Sequence, residues 1–489
     1  MNRINDDSFH LEENWAMCEF GDVNCNDVRL TKRLVKMADN FIKSPESSIN
    51  QASGSCSEAK AAYRLLQNDN INESEILSSH IKQTRKRAHS YKTILSIQDT
   101  CYISYKNHKA TTGLGVIASR VRSEKSNFKT HGLVMHTAFA VTTEGLPIGI
   151  LDQKIHSRPV LSEELLEIKK RSHGIAVPIE DKESIRWLES LKKSKDALEF
   201  IDTQVVTVCD READIYEFFH CSHQLQSPVL VRANHNRAVN QKPRKYTRPK
   251  EIIHTEKLWE WANNLPIQGQ KEVVIPTRAT KPARTVRLDI RFSSFTMSPN
   301  KHIRRHNKTF PILTLQAIYV IEPNPPAGEE PLEWLLLTNL PIDDLHSALE
   351  KVDWYALRWR IETFHKILKS GFSVEECRLG TATRLMRYLT VMSIIAWRIF
   401  YMTLLARTNP ELPCTEVLTE EEWKILYTKI HRTRNYPHAP PSIKNAITWL
   451  ARLGGFLARK GDGDPGPITL WRGWKRLMDL VDGWNLARS

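Results

Sequence analysis

Two runs of this chain, Thr93-Ile94-Leu95-Ser96-Ile97-Gln98-Asp99 and Gln204-Val205-Val206-Thr207-Val208-Cys209-Asp210, limit the folds open to it. Each is apolar and rich in β-branched residues, so each reads as a buried strand, and each ends on a carboxylate. Residues 133–141 and 146–151 read as further strands joined by the turn Thr143-Glu144-Gly145, and residues 229–232 as another. Helical stretches at 183–191 and 213–219 lie among them. Strands alternating with helices indicate an α/β core. Ligands gather beyond the carboxyl ends of strands in such sheets, which is where Asp99 and Asp210 fall.

The flanking regions follow other rhythms. Residues 1–72 read as helical: Asp27 can cap a helix whose apolar stripe is Leu30, Leu34, Met37 and Phe41. A Ser/Gly-rich break at 47–55 separates it from a second short helix at 57–66. Two basic helices joined by a turn suit a small DNA-reading module, with Arg29, Lys32 and Arg33 as its contacts; a plain helical cap on the next domain is the alternative. Residues 236–340 alternate basic and β-branched residues, and 273–275, 285–292, 314–321 and 334–337 look like antiparallel strands of an insertion. The chain then stays helical to its end. At 489 residues it exceeds one core. The expected division is an N-terminal helical domain at 1–72, an α/β domain at 73–407 with a β-rich insertion at about 236–340, and a C-terminal helical domain at 408–489.

Lys and Arg number 70 against 56 Asp and Glu, a net charge of +14 that favours a polyanionic partner, nucleic acid ahead of a membrane surface. The first residues lack a signal peptide's apolar stretch. Residues 385–405 are the most apolar long segment, yet they carry Arg387 and Arg398, which would be costly in lipid, so a buried helix is expected. The eight cysteines form no CxxC pair and no zinc spacing, as in a reducing compartment. A soluble cytoplasmic protein with no membrane partner is expected.

Tyr355, Arg358, Glu362 and Lys369 stand at helical offsets. In an unbroken helix they would fall within an arc of about 60° at roughly 100° per residue. That column offers one carboxylate among a phenol and two cations, and it reads equally as an ion-paired solvent face. Asp99 and Asp210 give it a second meaning. With Glu362 they would supply three oxygen donors suited to Mg²⁺ or Mn²⁺. A pair of such ions about 3.5–4 Å apart can assist an in-line phosphoryl displacement, with Tyr355, Arg358 and Lys369 gripping the phosphate.

The spacing Tyr-x2-Arg-x3-Glu-x6-Lys resembles the YREK signature of bacterial cut-and-paste DDE insertion-sequence transposases, the Tn-five (IS-fifty) type most closely. Val208-Cys209-Asp210-Arg211-Glu212-Ala213-Asp214-Ile215 is similar to the motif around their second catalytic aspartate, and Ile97-Gln98-Asp99-Thr100 to the first. Matching phrases at 324–338, 358–362, 451–456 and 470–474 carry the likeness over nearly the full chain.

The resemblance implies an RNase H-like core with an inserted antiparallel β-domain. A DNA-end-binding domain would precede it and a dimerisation region follow it. It implies Asp99, Asp210 and Glu362 as ligands of two Mg²⁺ ions, with Mn²⁺ able to substitute. It implies double-stranded DNA as partner, both transposon ends and target, and a homodimer in a synaptic complex. Strand cleavage would pass through a hairpin, with Trp334 stacking on a flipped nucleotide. By position, Arg232, His235, Arg237 and Arg378 contact end DNA. Asn234, Gly380 and Arg384 depart from the family pattern, which fits a different end sequence. Lys242, Arg244, Lys245, Arg248 and Lys250, with Arg304, Arg305 and Lys308, form basic clusters expected to touch phosphates. A catalytically silent end-binding regulator and a general RNase H-like nuclease are the alternatives.

Overall fold

The structure, a computed structural model, describes residues 15–123, 126–159, 177–240, 256–275, 283–299, 310–459 and 461–488. The basic clusters at 242–250 and 304–308 lie outside the described residues. The chain forms two compact units, one of Met1–Lys92, Thr100–Val160 and Arg360–Ser489, the other of Thr93–Asp99 and Leu161–Trp359.

The first unit opens with five helices: α1 (Trp15–Phe20), α2 (Val28–Lys43), α3 (Ile49–Ala52), α4 (Cys56–Gln67) and α5 (Glu73–Ala88). Asp27 caps α2 as expected, accepting from the Arg29 N–H, and Leu30, Leu34, Met37 and Phe41 are all buried. Strand β1 (Thr93–Ser104) begins in the second unit and ends in the first. Strands β2 (Gly115–Ser123), β3 (Ser126–Thr142) and β4 (Pro147–His156) follow, with β3 paired antiparallel to both neighbours.

In the second unit the front half of β1 pairs in parallel with β5 (Gln204–Cys209), and β5 with β6 (Val229–Arg232). Helix α6 (Ile185–Ala197) precedes β5, and α7 (Tyr216–Gln224) follows it. The expected helix at 213–219 is two pieces, a 3₁₀ turn at Arg211–Ala213 and then α7, because the Asp210 side chain caps the turn. After α8 (Leu258–Asn263) come β7 (Gly269–Ile275), β8 (Arg284–Met297), β9 (Leu313–Ile321) and β10 (Glu333–Thr338). These strands are antiparallel, as their alternation suggests, but they make no separate sheet: β10 pairs with β6 and continues the parallel strands. Trp187, Phe218, Phe219, Leu335 and Leu337 lie in the shared core.

Helix α9 (Leu345–Ala356) closes the second unit and α10 (Trp359–Lys366) opens the last part of the first. The unbroken helix expected over 355–369 does not form. The Leu357 N–H is shared among the carbonyls of Asp353, Trp354 and Tyr355, a tightened C-terminal turn that ends α9. Residues Ile367–Gly371 then form a π turn, closed by Phe372 N–H to the Ile367 carbonyl at 2.8 Å. Tyr355, Arg358, Glu362 and Lys369 therefore sit on four different local structures.

Helix α11 (Ala382–Thr408) is long and apolar enough to cross a membrane, yet 94% of its apolar window is buried within the fold. Arg387 is tolerated there because it donates to the Leu66 carbonyl at 2.9 Å and pairs with Asp69. The chain ends with α12 (Glu420–His431), α13 (Ile443–Leu453) and α14 (Pro467–Leu486). All eight cysteines are free.

Candidate active site

The parallel register of β1 and β5 runs from Thr93 opposite Gln204 to Gln98 opposite Cys209. Asp99 and Asp210 come next, so the two carboxylates stand at the same level of the paired strands. Asp210 lies just past β5, but contrary to expectation Asp99 does not end its strand, because β1 runs on to Ser104. Asp210 exits the sheet, and its Oδ1 accepts from the Glu212 N–H at 2.9 Å. Glu212 is held in turn by the buried Arg186, 2.9 Å away. Burial raises the Asp210 pKa above the ordinary range, while that backbone hydrogen bond, Arg358 and Arg186 oppose the rise. A carboxylate so desolvated gains most from a cation beside it.

Arg358 supplies positive charge: its Nη1 lies 4.0 Å from the Asp99 Oδ2. Tyr355, buried at the end of α9, has its pKa raised by burial against the pull of Arg358 and Arg232. Its ring meets the Trp334 ring edge-on, with centroids 5.2 Å apart. Arg232 is half-buried, its pKa lowered by burial, and it donates to the Glu333 carbonyl at 2.9 Å, fixing the backbone beside Trp334. One part of the second unit thus gathers Asp99, Asp210, Tyr355 and Arg358, with Trp334 and Arg232 packed around Tyr355.

The remaining candidates belong to other elements. Glu362 lies in the first turn of α10, in the first unit, where Phe364 of the same helix stacks on Phe139 of β3. Lys369, in the π turn, donates to the Tyr102 carbonyl at 2.9 Å and pairs with Glu375 at 3.5 Å. Glu375 also accepts from the Ser104 N–H at 2.7 Å, so it fixes both the lysine and the end of β1. Arg378 is exposed. In the N-terminal helices, Arg29 pairs with its own cap Asp27. Lys32 and Arg33 rim a cavity of about 200 Å³ floored by Met37 and Phe41.

Arg237 takes a different place from that of a surface contact. It pairs with Asp214, which is fully buried and also accepts from the N–H groups of Asn234 at 2.7 Å and His235 at 2.9 Å. Arg237 and Asp214 together fix the loop that carries the exposed His235. Asp214, Glu212, Arg186 and Glu375 are functional candidates that the sequence pattern did not single out. The acids of Asp210-Arg211-Glu212-Ala213-Asp214 were visible, but their partners lie far away in sequence.

Among the described residues no three His, Cys, Asp or Glu side chains form a ready-made metal group. Donor chemistry still favours a hard cation at the Asp99 and Asp210 edge. Both donors there are carboxylates, and the neighbouring Cys209 thiol stays protonated because burial, Asp210 and Asp99 all push its pKa up.

Comparison with known families decides the assignment. The Transposase DDE domain model matches residues 68–397, the Transposase DNA-binding model residues 12–71, and the Transposase Tn5 dimerisation domain model residues 394–489. The chain is a DDE transposase. The DNA-binding match covers the α2–α4 helices of this transposase with their exposed cations, and the dimerisation match covers most of α11 and everything after it. Both aspartates, Glu362 and Lys369 fall inside the DDE match, which belongs to a family that uses divalent metal ions.

Proposed function

We propose that this protein binds the terminal inverted repeats of a mobile element, excises it by strand cleavage through a hairpin, and joins its 3′ ends to target DNA. Asp99, Asp210 and Glu362 are the proposed ligands of two Mg²⁺ ions, for which Mn²⁺ substitutes. Ions held there would promote attack by an oxygen nucleophile and stabilise the leaving oxygen. The observation that carries the reading is the adjacency of Asp99 and Asp210 where the parallel pairing of β1 and β5 stops, Asp99 within β1 and Asp210 just past β5, with Arg358 beside Asp99.

Chemistry at the phosphate divides among the chain's own groups. In the first step a water oxygen attacks phosphorus and the bond to the 3′ oxygen breaks, leaving a free 3′-hydroxyl. That hydroxyl then attacks a phosphate of the opposite strand and displaces the flanking DNA's 3′ oxygen, closing the hairpin. A second water hydrolyses the hairpin bond and frees the hydroxyl again, which attacks a target phosphate and displaces the target's 3′ oxygen. Arg358 and Lys369 neutralise charge on the non-bridging phosphate oxygens, and Tyr355 donates a hydrogen bond. Trp334 offers its face to the base extruded at the hairpin, and Arg232 braces the strand that carries it. His235 and Arg378 touch end DNA, while Arg237 acts through the loop it holds. Arg29, Lys32 and Arg33 read the terminal repeat.

The complete Tyr355, Arg358, Glu362 and Lys369 set supports closeness to the Tn-five type. The proposed domains are 1–72, 73–407 and 408–489, in a homodimeric synaptic complex in the bacterial cytoplasm, at the nucleoid. A plasmid carrying the element between its own inverted repeats tests the reading. Excision should occur with the wild-type protein in Mg²⁺ and vanish in Asp210→Ala, while Asp210→Ala still shifts terminal-repeat DNA in a gel. Excision by Asp210→Ala overturns the assignment. Repeat binding without cutting by the wild type would mark a regulator, and cutting without regard to the repeats a general nuclease.

A further inference from the structure

Between Glu422 and Asp462 the chain holds no Asp or Glu. Within that stretch α12 ends and the chain runs without regular structure to Ser442, where α13 is capped. Lys429, Arg432 and Arg434 are exposed here, and among the described residues none of them pairs with a carboxylate. The catalytic chemistry uses none of them.

The loop is nevertheless fixed. Arg432 closes α12 in the left-handed conformation, φ 55°, with its N–H on the Thr428 carbonyl at 2.8 Å. A non-glycine residue held there marks a backbone that its surroundings over-determine. Tyr436 packs edge-on against Trp423 and Tyr427, and its hydroxyl lies 3.1 Å from the Thr428 hydroxyl. The His431 ring sits 4.3 Å from Tyr427 and meets Trp449 edge-on at 4.9 Å. The Arg434 guanidinium rests over Trp484, 4.8 Å from the ring centroid. The aromatic rings thus fix the loop and hold the Arg434 guanidinium in place, and a pre-ordered side chain loses less entropy when a partner arrives.

We propose that this aromatic-backed basic loop grips the phosphate backbone of duplex DNA outside the terminal repeats, without reading sequence. Charge selects the partner: three exposed cations in an acid-free stretch complement a polyanion. The loop lies within the dimerisation match, but a two-fold contact centred on it would set the same patch against itself and oppose like charges, so a second copy fits this patch poorly. The inference deepens the transposition reading, which needs a hold on DNA other than the element's ends.

The test uses the full chain and two duplexes, one carrying the terminal repeat and one of arbitrary sequence, with binding followed by fluorescence anisotropy over a salt series. The double variant Arg432→Asn, Arg434→Gln keeps a residue suited to the left-handed position. Its plot of log affinity against log salt for the arbitrary duplex should flatten by up to about 2, since each lost phosphate contact is worth about 0.9. Terminal-repeat affinity at fixed salt and the oligomeric state by sedimentation should stay as in the wild type. An unchanged slope overturns the proposal, and so does an unchanged slope with an altered oligomeric state, which would make the patch a contact between copies. Lys429→Gln, made separately, should flatten the slope by about half as much. If the wild type binds neither duplex, the transposition reading falls as well; if it binds both and the double variant matches it, only this inference falls.

Discussion

Asp210 combines desolvation that raises its pKa with a backbone hydrogen bond that fixes its direction. That pairing suits a ligand which must wait, oriented, for a cation. Asp99→Ala and Asp210→Ala should each abolish strand cleavage while leaving terminal-repeat affinity within a few-fold of wild type, measured on end-labelled DNA. Trp334→Ala should accumulate nicked DNA with hairpin yield down roughly 5- to 150-fold, because an aromatic face returns about 1–3 kcal/mol to an extruded base. Unchanged hairpin yield would remove the stacking role. Asp214→Ala leaves Arg237 without its buried partner and should cost about 3–5 kcal/mol in urea denaturation. Asp210 was legible as a strand end because that is a local pattern, whereas Asp99 stands within β1, whose continuation to Ser104 past the polar Asp99 and Thr100 the sequence did not announce. Asp214 was not legible, since the N–H groups it satisfies belong to Asn234 and Asn234's neighbour His235, beyond α7 and β6.

At the scale of elements, the strands were legible from β-branched runs, and so was the buried α11, because their signals lie within the segment. The break between α9 and α10 was not. No Gly or Pro marks Leu357 or Arg358, and the periodicity of 355–369 continues through them. The π turn at Lys369 is equally silent in sequence, yet it sets which carbonyl the lysine reaches. Nor could the alternation of 273–337 reveal that β10 would join β6, since sheet partnership is a long-range choice.

One buried network ties α1, α5 and β4 together. Glu19 receives His80 Nδ1–H at 2.6 Å and pairs with Arg87 at 2.6 Å, while His80 Nε2 accepts the Ile150 N–H at 3.0 Å. That geometry requires a neutral His80, and burial lowers its pKa below the ordinary 6.5; Arg87 and His80 hold Glu19 down at about 2, against the desolvation that would raise it. Both folded values lie below the unfolded ones, so stability is full above pH 6.5 and falls as the unfolded chain takes up protons. The loss begins as the pH drops through 6.5 with His80 and deepens through the carboxylate range with Glu19. Urea midpoints measured from pH 7.5 to 4 should therefore decline steadily, and a flat profile would contradict this account. Glu19→Ala should cost about 3–5 kcal/mol at neutral pH by stranding Arg87.

Over the whole molecule, a charge of +14 and three consecutive family matches describe a DDE transposase with a DNA-binding part and a dimerisation part. Composition pointed to a polyanion but not to how the labour is divided along the chain. The central claim is that Asp99, Asp210 and Glu362 serve the same metal ions. The most direct measurement titrates Mn²⁺ into the full-length protein on terminal-repeat DNA, following free Mn²⁺ by electron paramagnetic resonance and cleavage in the same samples. Wild type should bind two ions per site and cleave, and Asp99→Ala, Asp210→Ala and Glu362→Ala should each lose Mn²⁺ binding together with cleavage. Wild-type Mn²⁺ binding and undiminished cleavage in any one of the three would contradict it.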